Sequence, residues 1–346
     1  MEGSIYHFDQ FTGFEAAAAA DCEAQPAPCR RVSGSPKVGL VRNRRSHRNQ
    51  GQDHGLRAGP QLLIAEPDDR AELPGILAEF ARERIDLLVI DGGDGTVRDV
   101  LTCGYPMFGN CWPRIAVLPQ GKTNALNVDL GAPAGWTIEQ AIAAYRTGGE
   151  IKRQPLRIAS LESRGVEVLG FVIGAGAFTI GIRAGQDAHK MGAFNSLAVG
   201  VTAAWGVLQA LFGSDRNIWR RGVGMRLWLG RDGSELAHSG FGDPRRREIM
   251  LASTLKQLPM GLKVFPVGDG KIGMAVMDKP RRRLLAMLPA VLAGYRPKWL
   301  AKAGLHQLLT DRFEIALDDQ FILDGETFPA GRYSVEKGPT LSFVVP

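Results

Sequence analysis

The sequence predicts an α/β N-terminal nucleotide-binding domain, built as a parallel sheet with helices, followed by a C-terminal antiparallel β-rich domain. Three observations carry this prediction. Apolar runs alternate with helical patterns over the first 150 residues, and two of those runs end in short polar or glycine-bearing loops that open helices. From about Gln154 the pattern changes to short β-runs. At 346 residues the chain also exceeds the usual size of one hydrophobic core. The expected division is 1–35 as a flexible extension, 36–150 as the first domain and 151–346 as the second. The last strand is allowed to return to the first domain.

Taken in order, residues 37–41 are a short apolar run that empties into the basic loop Arg42-Asn-Arg-Arg-Ser-His-Arg48. Asp68 and Asp69 can cap a helix whose apolar positions Leu73, Ile76, Leu77 and Phe80 recur at helical spacing. Residues 85–90 are almost continuously Leu, Val and Ile, as expected of a strand buried on both faces. Asp91-Gly-Gly-Asp-Gly-Thr96 follows at once, and residues 97–101 can open a helix. The same grammar repeats with a strand at 114–118, the loop Pro119-Gln-Gly-Lys-Thr-Asn124, and helices from Ala125 and over 136–145. In the second domain, strands are predicted at 156–161, 166–173, 225–229, 249–255, 272–277, 313–317 and 321–323. The uncharged stretch 191–212 reads as a buried helix walling an apolar pocket or, alternatively, as a membrane span. Asn195, Ser196, Thr202 and Gln209 dilute the second reading.

Composition narrows the function classes. Hydrophobic residues at 45% and charged residues at 23% exclude a disordered chain and a polytopic membrane protein. The 42 basic residues outnumber 36 acids, a surplus of +6 that favours polyanionic partners. Much of it is local: Lys279, Arg281, Arg282, Arg283, Arg296, Lys298 and Lys302 lie in one segment without an acid. Joined there to Leu and Trp, they read either as a solvated basic loop or as an element that meets an anionic membrane surface. Nucleic acid is not the expected partner, because no recognised module accompanies the charge. Cys22, Cys29, Cys103 and Cys111 match no zinc spacing, and the first residues lack the basic start of a secretory signal. A cytoplasmic chain, peripherally associated with the inner face of the membrane and open to homodimer formation, is the expectation.

The two loops carry the chemistry. Gly92, Gly93 and Gly95 stand between a buried strand and a helix, where backbone N–H groups can approach an anion and the helix N-terminus adds positive potential. Asp94 inside that cradle would repel a bare phosphate, so it implies a nucleotide bound with a divalent cation. A tight turn with Asp94 as a helix cap is the competing reading. Gly121, Lys122, Thr123 and Asn124 occupy the same strand-to-helix position and suit the other wall of the cleft, although Asn124 could simply cap its helix.

With these residues in view, Asp91-Gly-Gly-Asp-Gly-Thr-Val-Arg-Asp-Val100 resembles the signature loop of the diacylglycerol kinase catalytic-domain family, which includes sphingosine, ceramide and bacterial lipid kinases. Leu118-Pro-Gln-Gly-Lys-Thr-Asn124 is similar to that family's second loop, Asn43 and Ser46 to its first-strand loop, and Pro259-Met-Gly261 through Gly268-Asp-Gly270 to a later one. Leu323-Asp-Gly-Glu326 and the final strand extend the resemblance over residues 36–346. It implies ATP and Mg2+ as cofactors and a lipid acceptor. Asp94 would join the metal and phosphate network, Asp269 would be a further metal ligand, Asp324 the base near the acceptor hydroxyl and Glu326 its support. Asn43, Ser46, Gly92, Gly93, Asp94, Gly95, Thr96, Gly121, Lys122, Thr123 and Asn124 would hold the nucleotide. From the residues alone, Asp324-Gly-Glu326 also reads as a hairpin turn. Several positions depart from the family: Arg44, His47, Lys122, Thr123 and Ala125 are altered, and Gly176 and Gly273 stand where aspartates are frequent. An NAD kinase, and a nucleotide- or lipid-binding regulator without catalysis, are the alternatives.

Overall fold

The computed structural model describes residues 35–49, 57–147, 149–163, 167–179 and 222–346. The N-terminal extension and the uncharged stretch 191–212 lie outside the described residues. The first layer is a six-stranded sheet. It contains β1 (Val38–Arg42), β2 (Leu62–Ala65), β3 (Leu87–Gly92), β4 (Arg114–Pro119) and β5 (Glu150–Arg153), in the order β2-β1-β3-β4, then the C-terminal strand Leu341–Val344, then β5. β1 to β4 are parallel, and every residue of β3 is buried, as its apolar run requires. Helices α1 (Leu73–Arg82) and α2 (Asp94–Phe108) cover one face through Leu77, Phe80 and Leu101. The other face packs on Trp136 and on α4 (Ile138–Thr147), which follows the short α3 (Ala125–Leu130). Asp69 caps the turn before α1 in a capping box with Glu72.

The second layer pair is an antiparallel sandwich. One sheet is formed by β6 (Leu156–Ser160), β7 (Glu167–Gly170), β9 (Val223–Leu229), β10 (Ser234–Glu235), β11 (Arg246–Arg247), β15 (Arg312–Leu317) and β18 (Gly331–Lys337). The other contains β8 (Val172–Gly176), β12 (Ile249–Ser253), β13 (Ile272–Met277), β14 (Leu305–Thr310), β16 (Phe321–Leu323) and β17 (Glu326–Phe328). Their inner faces share a core that includes Ile158, Leu227, Ile173, Met274 and Phe321. A helix, α5 (Arg282–Leu292), packs Leu284 and Val291 against Met277 and Leu305 beside this core. The run predicted as one strand over 166–173 is two, because the chain passes from one sheet to the other at Phe171.

The C-terminal strand β19 (Leu341–Val344) returns to the first sheet, parallel to β4 and antiparallel to β5. This moves the expected boundary at 150, since β5 belongs to the first sheet through residue 153. Glu150-Ile-Lys-Arg153 alternates exposed and half-buried positions at the sheet edge, so it lacks the apolar run that marks an interior strand. Near this joint, Asp129 at the end of α3 is buried and accepts the N–H groups of Lys256 (2.7 Å) and Gln257 (2.8 Å) and the Arg153 guanidinium (2.5 Å). It therefore ties the end of α3 to the chain that follows β12. Asp129→Ala is expected to cost about 1–3 kcal/mol, because it leaves a half-buried arginine and two N–H groups without their acceptor. A thermal melt of the variant, with a fall in Tm of several degrees or more, is the check.

Candidate active site

Both predicted loops emerge side by side at the ends of adjacent parallel strands, β3 and β4. Their backbones touch: a Cβ added at Gly121 would lie 2.6 Å from the Gly93 Cα, and one at Gly93 would lie 2.9 Å from the Gly121 Cα. Only glycine at both positions permits this approach. The approach brings the second loop beside the N-terminus of α2, where unpaired N–H groups and the helix dipole favour an anion. Asn124, in the left-handed region at φ +50°, does not cap α3. Its side chain instead accepts the Gly121 N–H (2.8 Å) and donates to the Gly121 carbonyl (2.9 Å), which closes the loop on itself. Lys122 and Thr123 are exposed at the tip.

The first-strand loop is tied to the same place. Asn43 donates its side-chain amide to the Thr96 hydroxyl (2.9 Å), and its N–H donates to the Asp91 carbonyl (3.0 Å). Ser46 is buried in the turn, its N–H on the Asn43 carbonyl. Asn49, which sequence reasoning passed over, bonds Asp91 and the Asn43 carbonyl and so fixes the loop.

Asp94 is the first residue of α2, and its carboxylate accepts the N–H groups of Ala125 (3.0 Å) and Leu126 (3.3 Å). It thus caps α3 across the cleft, so the cap reading holds for a helix other than its own. Burial raises this carboxyl above its ordinary range, against those N–H bonds, which favour the charged form.

Asp324 faces it. The two aspartates line one narrow cleft with Val97, Ala125, Leu126 and Phe171. Asp324-Gly325 is indeed the hairpin turn between β16 and β17, with φ of +45° and +86°. The turn aims the Asp324 carboxylate at the N–H groups of Phe171 and Val172, each 2.9 Å away. Burial, reinforced by the charge of Asp94, pushes the Asp324 carboxyl up to about 7, and the two N–H bonds and Arg98 only partly oppose this. A carboxylate poised near neutrality suits a general base.

Glu326 is not part of the pocket lining. It lies 4.0 Å from the Arg98 guanidinium and 3.8 Å from that of Arg70. Asp99 joins the two arginines, at 2.7 Å from Arg98 and 3.0 Å from Arg70, and Arg98 also donates to the Leu323 carbonyl (3.2 Å). Arg98 is fully buried and holds the Asp324 turn from beneath. The sequence carried a signal for it: an arginine four residues after Asp94, on the helix face that also carries Leu101, must find buried partners.

The metal expectation needs correction. Asp269 is 89% exposed and paired with the Lys256 ammonium, and among the described residues no group of three or more metal-ligating side chains exists. The positions where aspartates are frequent are closed by packing. A Cβ at Gly176 would meet the Glu248 carbonyl oxygen at 2.3 Å, and one at Gly273 would meet Phe265 at 2.4 Å. The residues present do not build an accessory cation site around Asp269. The glycine loops are different, since their close approach beside a helix N-terminus has the chemistry that suits an anion.

The chain thus joins an α/β layer to an antiparallel β-sandwich, with two carboxylates lining one cleft. Residues 42–157 match the family model of the diacylglycerol kinase catalytic domain. A comparison with curated proteins returned no match. The crystal structure of a diacylglycerol kinase from Bacillus anthracis str. Sterne aligns over 91% of this chain and 98% of its own, with a TM-score of 0.59 and 14% identity. A further structure from that organism reaches a TM-score of 0.62 at 15% identity, with the same coverage of each chain. An NAD kinase from Archaeoglobus fulgidus in complex with ATP aligns more loosely, at a TM-score of 0.42 and 12% identity over 89% of this chain and 93% of its own. At these identities the likeness is one of fold.

Proposed function

We propose that the protein is an ATP-dependent lipid kinase that phosphorylates a hydroxyl of diacylglycerol or of a related lipid such as a ceramide or sphingoid base. The observation that carries this reading is the Asp324 carboxylate, raised to about 7 and set across a small pocket from the N-terminus of the helix that follows the glycine loop. The N–H groups around Gly93 and Gly121 would bind the nucleotide phosphates, with the Lys122 ammonium balancing their charge. Asn43 and Thr96 would form the polar wall of the nucleotide site. Bound with Mg2+, the nucleotide would supply the phosphoryl group, and Asp94 would be the carboxylate that joins the metal and phosphate network. Asp324 would accept the proton of the acceptor hydroxyl, while Arg98 holds the turn that presents it. Val97, Leu126 and Phe171 give that end of the pocket an apolar wall suited to a lipid.

The test is direct. The purified chain is incubated with γ-labelled ATP, Mg2+ and, separately, diacylglycerol, ceramide, sphingosine and NAD. Label in a lipid is the expected result. Label in NAD alone would overturn the lipid assignment, and ATP binding without transfer to any acceptor would mark a regulator.

A further inference from the structure

Among the described residues, six of the eight exposed large apolar side chains come from two stretches: Met260, Leu262 and Val267 from 259–268, and Tyr295, Trp299 and Leu309 from 293–309. The stretches are bonded into one surface. The Lys263 N–H donates to the Leu292 carbonyl (2.8 Å), and the Arg296 guanidinium donates to the carbonyls of Lys263 (3.2 Å) and Phe265 (2.5 Å). The Gln307 side chain bonds the Val264 carbonyl, and a Cβ at Gly268 would touch Leu309. Single exposed apolar residues need no explanation, whereas a gathered set marks an interaction surface.

Met260 is the extreme member. It is 92% exposed and sits at φ +61°, a region that methionine occupies only at a cost. Packing does not account for a long apolar side chain held there.

The charge on this surface is of one sign. Lys263, Arg296, Lys298 and Lys302 are exposed, and neither stretch contains an acid. Among the described residues Lys298 and Lys302 have no acidic partner, while the adjoining Asp269 is taken by Lys256. The basic segment singled out in the sequence is therefore only partly free. Its helix α5 is packed down through Leu284, Leu285 and Val291, and the exposed apolar and basic groups lie beyond its C-terminal end and on the loop that covers it. Arg282 and Arg283 are exposed at the first turn of α5, the end of the helix away from this surface.

We propose that this face docks the protein on an anionic lipid bilayer, with Met260, Leu262, Tyr295 and Trp299 entering the headgroup boundary and Lys263, Lys298 and Lys302 meeting lipid phosphates. A second copy of the chain is the weaker occupant, since a two-fold contact would set like charges against each other. The proposal goes beyond the kinase reading and does not depend on it.

The test is co-sedimentation of the full chain, without nucleotide, with vesicles of phosphatidylcholine alone or mixed with phosphatidylglycerol. Binding to the mixed vesicles, weakened by salt and absent with phosphatidylcholine alone, is expected. Met260→Asn, which keeps a residue tolerant of positive φ, should weaken binding about tenfold by removing one inserted apolar side chain. Lys298→Glu combined with Lys302→Glu should weaken it by at least about fivefold per charge removed. Failure of the unaltered chain to bind mixed vesicles, or unchanged binding in both variants, would overturn the proposal. So would a dimer in analytical ultracentrifugation that Met260→Asn converts to monomer, since that would assign the face to a second copy.

Discussion

Asp324→Asn is expected to slow phosphoryl transfer by a factor of about 10² to 10⁴, the range a positioned general base contributes, while nucleotide binding is retained. The asparagine keeps the size of the side chain and an acceptor oxygen for one of the two N–H groups of Phe171 and Val172, but it cannot take a proton. In the unaltered chain, transfer should rise with pH through about 7, as the Asp324 carboxyl ionises. That limb should vanish in the variant. Initial rates with labelled ATP across pH 5 to about 9 check both statements. Rates within a factor of about two of the unaltered chain would remove Asp324 from the reaction.

The same shift makes a stability statement. Between 3.8 and about 7 the folded chain holds a proton on Asp324 that the unfolded chain has released. Stability from this group therefore falls as pH rises through that window, and above about 7 the whole penalty is in place. The full displacement corresponds to about 4 kcal/mol. Asp324→Asn does not titrate, so its Tm relative to the unaltered chain should climb from about pH 4 to about pH 7 and then level off. A constant difference across that range would show that the carboxyl is not raised.

Gly121→Ala is expected to abolish nucleotide binding. The added methyl would fall 2.6 Å from the Gly93 Cα and 2.8 Å from the Asn124 side-chain oxygen, and the first of these is backbone that cannot rotate away. The two loops must separate, which removes the cradle and costs about 1–3 kcal/mol of stability as an overpacked contact does. Calorimetric titration with ATP and a thermal melt read the two effects. Gly75→Ala is the control: it sits exposed within α1 with nothing near its Cβ, and it should stabilise the helix by about 0.5–1 kcal/mol. ATP binding by Gly121→Ala equal to that of the control would mean that the close approach is not needed.

Much of this arrangement was legible in the residues because the signals are local. The buried run of β3 ending in Gly92-Gly93-Asp94-Gly95, and that of β4 ending in Gly121 to Asn124, mark strand-to-helix loops from spacing alone. Strands that alternate with polar residues were harder to see. Leu305-His-Gln-Leu-Leu-Thr310 and Gly331-Arg-Tyr-Ser-Val-Glu-Lys337 carry too few consecutive apolar positions to announce themselves, and their pairing partners supply the order. Side-chain roles that depend on distant partners were not legible either. Asp94 as the cap of α3, Arg98 beneath the Asp324 turn, Asp129 as the tie between α3 and the chain after β12, and Asp269 paired with Lys256 each rest on a contact remote in sequence.

What the sequence by itself determined is therefore the pair of strand-to-helix loops, since a buried apolar run that ends in glycine before a helical pattern marks them locally. The tertiary structure alone decided that Asp324 shares a pocket with Asp94, that Glu326 belongs to the arginines, and that the exposed basic and apolar face lies beyond α5. The physical reason is the same in each case: backbone loop geometry is set by neighbours in the chain, whereas a carboxylate's ionisation and a side chain's exposure are set by whatever the fold packs against them.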